Sequence, residues 1–467
     1  MSNVFSPINA ALYAAVRDAK ACAVQEFEAE GVDLNSDTFL ARFPFIFVKE
    51  FNKDSAVVPI QEKLIAAAFS DEFRSRTEET IGIFYANHGG GTTQSYFLDM
   101  VDDFLNYTFP RTLGLSDEET LFDDLYCQFE TDLFSETYTL NVIALLENIS
   151  DHGGSFHPTA GLRFAWADRL PNRALNTSYG RKRTVPYLEI KKTAHPLFAG
   201  RDISDKNSFF ILEFAETRAK RKGELTEAYN RSEEITRKTV FASRLLTSAP
   251  VYADYRGFRT LGHYSGGGSG MVLMNYPDER IDEGFGQDLK SYSHGLERLF
   301  PPLLAAPADS IAVLYDKIED AFRRQRRGIR HMGAEARVTI DRLLDYFQAL
   351  EAIIQIEGSY QIALYAAVLL RAASQGRGMA ASDVFEFMKD MHTLRNDVVH
   401  GRIDKVLQGR TKTKHKITEI ERFCQYVHEL AILYLLNPGE KGKHDLRPLA
   451  HRLALGETVN LKTLYQA

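Results

Sequence analysis

The sequence predicts a multidomain protein in which α+β N-terminal and middle regions are followed by an all-α helical bundle. Three observations carry this expectation. The 467 residues are about three times the usual length of a single domain. Runs rich in β-branched and aromatic residues are concentrated between Glu136 and His263. Beyond Pro307 nearly every segment carries apolar residues at helical spacing. The expected divisions are residues 1–135, mainly helical or α+β; 136–300, an α+β middle domain; and 305–467, an all-α C-terminal domain.

Taken in order, Asn9 to Glu30 repeats apolar residues with the period of a helix, and Ile60 to Phe69 and Gln94 to Tyr107 do the same. The first 135 residues are therefore read as mainly helical with some strand. From Glu136 the texture changes: Glu136 to Ile143, Thr184 to Ile190 and Ser208 to Phe214 have strand composition, separated by Gly, Asn and Pro clusters that read as loops. A helix is expected from Glu224 to Leu246 and another strand from Val251 to His263. Ser265-Gly-Gly-Gly-Ser-Gly270 is the clearest flexible stretch and a natural domain edge. Then come five amphipathic segments: Ala308 to Arg327, Ala334 to Ile356, Tyr360 to Ala373, Ser382 to Val406 and Ile417 to Leu436. Pro438-Gly439 stops the last, and Leu446 to Leu455 adds a short terminal helix.

Composition narrows the function classes. Apolar residues make up 44% and charged residues 25%, the balance of a globular chain rather than a disordered or fibrous one. Ala10 to Val24 is interrupted by Arg17, Asp18 and Lys20, unlike the uncharged core of a signal peptide, and no stretch has the apolar length of a membrane span. A cytoplasmic location without a membrane partner is expected, which makes the sequon at Asn148-Ile149-Ser150 irrelevant. Cys22, Cys127 and Cys424 are isolated, so they are read as buried structural thiols rather than disulfide or zinc ligands. Asp151-His152 with His157 lacks a second cluster, and no metal or other cofactor is expected. Asn87-His-Gly-Gly-Gly-Thr-Thr93 lacks the lysine of a phosphate-binding loop and is read as a plain loop.

Charge is unevenly distributed. Residues 321–467 hold 23 Lys+Arg against 16 Asp+Glu, a net +7, while the preceding 320 hold 33 against 47, a net −14. A basic C-terminal third on an acidic body suits a polyanion partner, though it suits a solvated surface too. The strongest basic runs are Arg323-Arg-Gln-Arg-Arg-Gly-Ile-Arg330 and Arg410-Thr-Lys-Thr-Lys-His-Lys416. Either could track an RNA backbone or simply be a solvated helix end. Arg218-Ala-Lys-Arg-Lys222 reads as a surface turn.

One short run carries chemistry. In Met391-His-Thr-Leu-Arg395-Asn-Asp-Val-Val-His400-Gly an arginine, an amide and a histidine sit among apolar positions, with Ser382 as the expected N-cap and Phe385, Met388, Leu394 and Val398 as the packed stripe. Cutting RNA without a metal requires proton transfer at the ribose 2′-hydroxyl and at the leaving 5′-oxygen, and a cation on the phosphate. Histidine suits the proton transfer because it titrates near neutrality, and arginine suits the phosphate because its planar fork makes paired hydrogen bonds. Asn396, four residues before His400, could orient that imidazole or bind a phosphate oxygen. Arg395 and His400 are five residues apart, roughly 140° around a regular helix. They converge only if the helix is irregular or if two copies of it meet across a two-fold dimer. The run also fits an arginine in a surface ion pair beside a hydrogen-bonded histidine.

Arg395-Asn396-x-x-x-His400 resembles the R-(polar)-x3-H signature of the HEPN superfamily. Leu343-Leu-Asp-Tyr-Phe-Gln-Ala-Leu-Glu351, then Glu357-Gly-Ser-Tyr-Gln-Ile-Ala-Leu-Tyr-Ala-Ala-Val-Leu-Leu370, then Leu394 to Gly401 are similar in order and spacing to the ApeA-like HEPN family of bacterial antiphage defence. The likeness covers roughly residues 305–440, and a weaker one reaches back through Phe209 to Phe214 and Ala242 to Thr247. The resemblance implies a HEPN helical bundle acting as a metal-independent endoribonuclease, a toxic hydrolase of abortive infection. It would be homodimeric through that bundle and would cut a host or phage RNA, with tRNA among the candidates. It implies Arg395 and His400 as the catalytic pair, Asn396 as the polar residue after the arginine, and Glu351 as an acidic residue orienting Arg395 or His400, or only bridging helices. The first 135 residues resemble no known family; in an effector of this kind residues 1 to about 300 are expected to act as the sensor, with a phage-derived trigger bound by the N-terminal region. Some HEPN domains bind nucleotides without cutting, so a non-catalytic nucleotide-binding or dimerising scaffold is the alternative.

Overall fold

A computed structural model describes residues 5–29, 57–86, 90–112, 116–147, 156–159, 161–166, 210–248, 251–259, 270–273, 289–328, 335–356, 358–374, 380–402, 419–438 and 444–464. The chain divides into two compact units. One comprises residues 1–147, 154–236 and 253–277; the other comprises 148–153, 237–252 and 278–467. The architecture is mostly helical with one antiparallel sheet, so the mixed and helical layout expected from sequence is present at that level.

In the first unit, α1 (Ala10–Ala29) buries Leu12, Val16, Ala19 and Ala23, a stripe at three- and four-residue spacing. Its start is held by two polar groups. The Asn9 side-chain oxygen accepts from the Leu12 amide at 2.9 Å, and buried Glu130 accepts from the Ile8 and Asn9 amides at 2.6 Å each. These bonds satisfy donors that the first helical turn leaves unpaired. The Asn9 amide group also donates to the Ala67 carbonyl at 3.0 Å, which closes the end of α2 (Val57–Ala68). Glu130 belongs to α5 (Glu118–Phe134), which follows a short α3 (Arg74–Thr77), a π-helical turn (Glu78–Ile83) and α4 (Thr93–Thr112). Thr92 caps α4 by accepting from the Ser95 amide at 3.1 Å, so the end of the glycine-rich run is a helix start. Among the described residues before Thr137 there is no strand, and α5 lies where no individual helix was expected.

The sheet has the order β2-β3-β4-β1-β5-β6, from β1 (Thr137–Glu147), β2 (Phe156–Thr159), β3 (Leu162–Trp166), β4 (Phe210–Ala219), β5 (Tyr252–Arg259) and β6 (Gly270–Leu273). Tyr138, Leu140, Val142, Ala144 and Leu146 of β1 are all buried, the period of two that one core-facing side of a strand requires. β1 and β4 pair antiparallel from Thr137 opposite Ala219 to Leu146 opposite Phe210. Gly161 sits at φ +79, where a Cβ would come within 2.6 Å of the Ala215 carbonyl oxygen, so the β2–β3 turn admits only glycine. The strand expected at Thr184 to Ile190 lies outside the described residues. Arg218 to Lys222 is more than a solvated turn: Arg218 pairs with Glu216 and with buried Glu224, and the Lys220 ammonium donates to the carbonyls of Asp132 and Leu133 at the end of α5. Burial pushes the Lys220 pKa down to about 8.

Among the described residues the second unit begins with the C-terminal part of α6 (Glu224–Thr247) and contains α7 (Ser293–Ala305), α8 (Ala308–Gly328), α9 (Glu335–Ile354), α10 (Ser359–Ala373), α11 (Ala381–Val399), α12 (Ile420–Leu436) and α13 (Arg447–Ala454). From Phe423 nearly every residue of α12 is buried, including Cys424, Val427, His428, Leu430, Ala431, Leu433 and Leu435. A helix apolar all round belongs at the centre of a bundle, and α9, α10 and α11 pack on it. Among the described residues no single helix is long and apolar enough to cross a membrane, although the bent pair Ile340–Ile354 and Ser359–Ala373 has the length and composition for it.

Candidate functional site

The run from Met391 to Gly401 forms the end of α11. Val384, Phe387, Met388, Met391, Leu394 and Val398 are buried at helical spacing, which fixes this face of the helix in the bundle. Two expectations change in detail. The N-cap is Ala380 rather than Ser382, whose hydroxyl instead donates to Asp383 at 3.3 Å. Phe385 lies beside the stripe and meets the Tyr360 ring edge-on at 5.1 Å.

The helix also ends seven residues before the expected Val406. His400 has left helical geometry, and Gly401 takes φ +73. The Gly401 amide donates to the Val398 carbonyl at 3.1 Å and the Arg402 amide to the Asp397 carbonyl at 2.9 Å. These two bonds form a Schellman stop, in which the residue after the cap must be left-handed and is most often glycine. Arg402 adds a 3.2 Å bond from its guanidinium to Asp397. His400 is thus the C-cap residue, with its side chain exposed at the helix end. Among the described residues its imidazole has no hydrogen-bond or ionic partner.

Arg395 is placed differently. Its side chain is 30% exposed, with Nη2 3.6 Å from Glu351 Oε1 of α9 and Nη1 donating to Asn396 Oδ1 at 3.1 Å. The Asn396 amide group lies 3.1 Å from His392 Nδ1, one turn earlier on the helix. The His392 ring stands edge-on to Phe347 of α9, centroids 5.8 Å apart. Glu351, Arg395, Asn396 and His392 therefore form one continuous polar line at the bundle surface. Burial and the Arg395 charge push the His392 pKa below the ordinary histidine range, with Glu351 opposing them.

Of the four residues expected at the site, three are joined and the fourth stands apart. Asn396 bonds Arg395 and His392 through its side chain and reaches His400 only through its carbonyl, which accepts from the His400 amide at 3.0 Å. Because α11 stays regular to Val399, Arg395 and His400 keep their angular separation, and among the described residues no bond joins them. His392 is the residue that sequence reasoning passed over. Its spacing of four from Asn396 was the available signal.

No family model, curated protein or solved structure matches the chain. Its function must be argued from these residues. Among the described residues no group of three His, Cys, Asp or Glu side chains is arranged to hold a metal ion. Arg410 to Lys416, Asp151-His152 and Glu357 lie outside the described residues, and so do the side chains of Arg323 to Arg330. Cys22 and Cys424 are buried, Cys127 is half-buried, and all three are free thiols.

What the arrangement can do follows from its chemistry. Arg395 commits one N–H to Asn396 and faces one carboxylate, and a guanidinium has five N–H donors, so donors remain for a phosphate. An exposed imidazole at a helix end can exchange protons with a bound hydroxyl. The arrangement thus offers an anion-binding group and a proton-transfer group that one copy of the chain does not bring together.

Proposed function

We propose that the chain is a HEPN-type endoribonuclease that cuts RNA without a metal, as an effector of antiphage abortive infection. The observation that carries this reading is an exposed His400 at the cap of α11, without a partner among the described residues, on the same helix as an Arg395 held by Glu351 of α9. His400 removes the proton from a ribose 2′-hydroxyl, and the 2′-oxygen attacks the adjacent phosphorus. The P–O5′ bond breaks as the 5′-oxygen takes a proton from water, the hydroxide so formed being neutralised by the proton that His400 holds, leaving a 2′,3′-cyclic phosphate and a 5′-hydroxyl. Arg395 stabilises the charge that builds on the phosphoryl oxygens. Regular helix between the two residues supports a site assembled from two α11 helices across a homodimer, Arg395 from one copy meeting His400 from the other. The basic balance of residues 321–467 suits an RNA substrate, and the N-terminal part of the chain ahead of it would carry the sensor for a phage-derived trigger.

A second reading has one observation in its favour. Arg395 already has internal partners in Glu351 and Asn396, as it would in a non-catalytic bundle that dimerises or holds a nucleotide. Growth and RNA integrity separate the two when wild type and His400→Ala are expressed in bacteria with and without phage challenge. The nuclease reading expects RNA breakage and growth arrest with wild type only. If His400→Ala and Arg395→Ala both preserve the phenotype while a dimer-breaking change removes it, the scaffold reading stands.

A further inference from the structure

The polar line on α11 contains a residue that neither the signature nor the proton-transfer chemistry calls for. We propose that His392 is a positioning residue of the candidate site: it fixes the Asn396 side-chain amide so that Oδ1 faces Arg395, and thereby sets the guanidinium between Asn396 and Glu351. This rests on the nuclease reading for its consequence in catalysis, but its structural content can be tested by itself.

A guanidinium can only donate, so the 3.1 Å contact from Arg395 Nη1 makes the Asn396 atom facing it the carbonyl oxygen. The amide nitrogen then points at His392, and since that group only donates, His392 Nδ1 at 3.1 Å must accept. The ring must therefore be neutral with its proton on Nε2. Protonated, it would present an N–H to the Asn396 NH2, and relieving that clash by turning the amide would aim the NH2 at Arg395. Either change releases Arg395 from one of its two anchors. The surroundings keep the ring neutral. Among the described residues the charged groups bearing on it are Arg395 from its own helix and Glu351 from α9, and burial together with Arg395 outweighs the carboxylate. Phe347 fixes the plane of the ring from the α9 side.

A consequence is that two histidines, not one, must be unprotonated for cleavage. His400 must be neutral to accept a proton and His392 neutral to hold Asn396, so the acid side of the pH–rate profile should steepen from a one-proton to a two-proton dependence.

The test uses the full-length chain and two variants. In His392→Gln the side-chain oxygen can accept from Asn396 but cannot be protonated; in His392→Leu no acceptor remains. The expected result is that His392→Gln cuts RNA within about threefold of wild type near neutral pH and loses one proton from the acid limb, whereas His392→Leu falls about tenfold or more, the cost of one unsatisfied polar group, with its melting temperature little changed. Equal loss in both variants, or an acid limb unaltered in His392→Gln, overturns the assignment. Nitrogen-15 NMR of histidine-labelled protein gives a readout independent of activity, with the His392 signals identified by their disappearance in His392→Gln. They should report an unprotonated Nδ1 and a pKa that rises in Arg395→Ala. A protonated Nδ1, or a pKa indifferent to Arg395→Ala, overturns the positioning role. If the wild type cuts no RNA while the NMR result holds, the nuclease reading fails and the placement of Asn396 by His392 stands.

Discussion

Two polar networks in the same helical unit use the same residue types in opposite ways. Inside it, Arg244 is fully buried, donating to Glu319 at 3.1 Å and to the Val251 carbonyl at 2.8 Å, with its guanidinium over the rings of Tyr252 and Phe322. The other face of the network is His428, stacked against Phe322, with Nδ1 2.9 Å from the Ser248 hydroxyl and Nε2 2.7 Å from the Tyr346 hydroxyl. Burial and the nearby Arg342 push its pKa down to about 3. On the surface, Arg395 pairs loosely with Glu351 at 3.6 Å, and His400 has no partner among the described residues. Both ring nitrogens of His428 are occupied, so this histidine specifies how α6, α8, α9 and α12 fit together. The outer network keeps bonding capacity unused, which is what binding and proton transfer require.

That contrast can be broken or sharpened by substitution, beginning with the largest expected effects. Arg244→Ala strands Glu319 in the interior and should cost about 3–5 kcal/mol, read as a lower denaturant midpoint. Arg395→Ala, by comparison, removes a pair of which 30% and 38% of the side chains are exposed, and should cost about 1 kcal/mol or less while lowering RNA cleavage by about 10²–10³-fold. His428→Leu should destabilise by about 2–4 kcal/mol, because the Tyr346 and Ser248 hydroxyls lose their bonds to the imidazole. Equal stability losses in Arg244→Ala and Arg395→Ala would erase the distinction between closed and open networks.

Acid provides a further comparison. The folded chain holds His428 neutral down to about pH 3, whereas the unfolded chain protonates it near the ordinary histidine value of about 6.5. Between those values the unfolded state binds the extra proton, so stability falls as pH falls, by about 1.4 kcal/mol per pH unit from this group. Above pH 6.5 its contribution is constant. Equilibrium unfolding at pH 7, 6, 5 and 4 should show this slope in wild type and a shallower one in His428→Leu. The smallest effect is expected for Glu351→Gln, which keeps a hydrogen-bond acceptor near Arg395 and should reduce cleavage only severalfold with no measurable change in stability.

The helices and strands were legible wherever a single periodicity ran unbroken. The stripe of α1 and the alternation in β1 are examples, each reflecting one buried face. The end of α11 was not, because apolar spacing continues through Val406 while the stop is a backbone event at Gly401. Nor was Ser382 the cap, although its side chain is suited to one, because the helix begins before it. The site was legible as a motif but not as a geometry. Arg395 and Asn396 could be singled out from residue type, yet the partners that define them, Glu351 excepted, depend on which way one amide faces. His428 and Arg244 attracted no notice in the sequence, since a buried polar residue is recognisable only once the groups enclosing it are known.

Metal-free RNA cleavage by Arg395 and His400 through 2′-hydroxyl attack is the proposal on which the other predictions of activity depend. It is tested most directly by the chemistry of the ends left on RNA treated with purified full-length protein in excess chelator. Wild type should leave 2′,3′-cyclic phosphate and 5′-hydroxyl ends, and His400→Ala should leave the RNA intact. Cleavage that survives His400→Ala, or that stops on chelation and leaves 5′-phosphate ends, would contradict it.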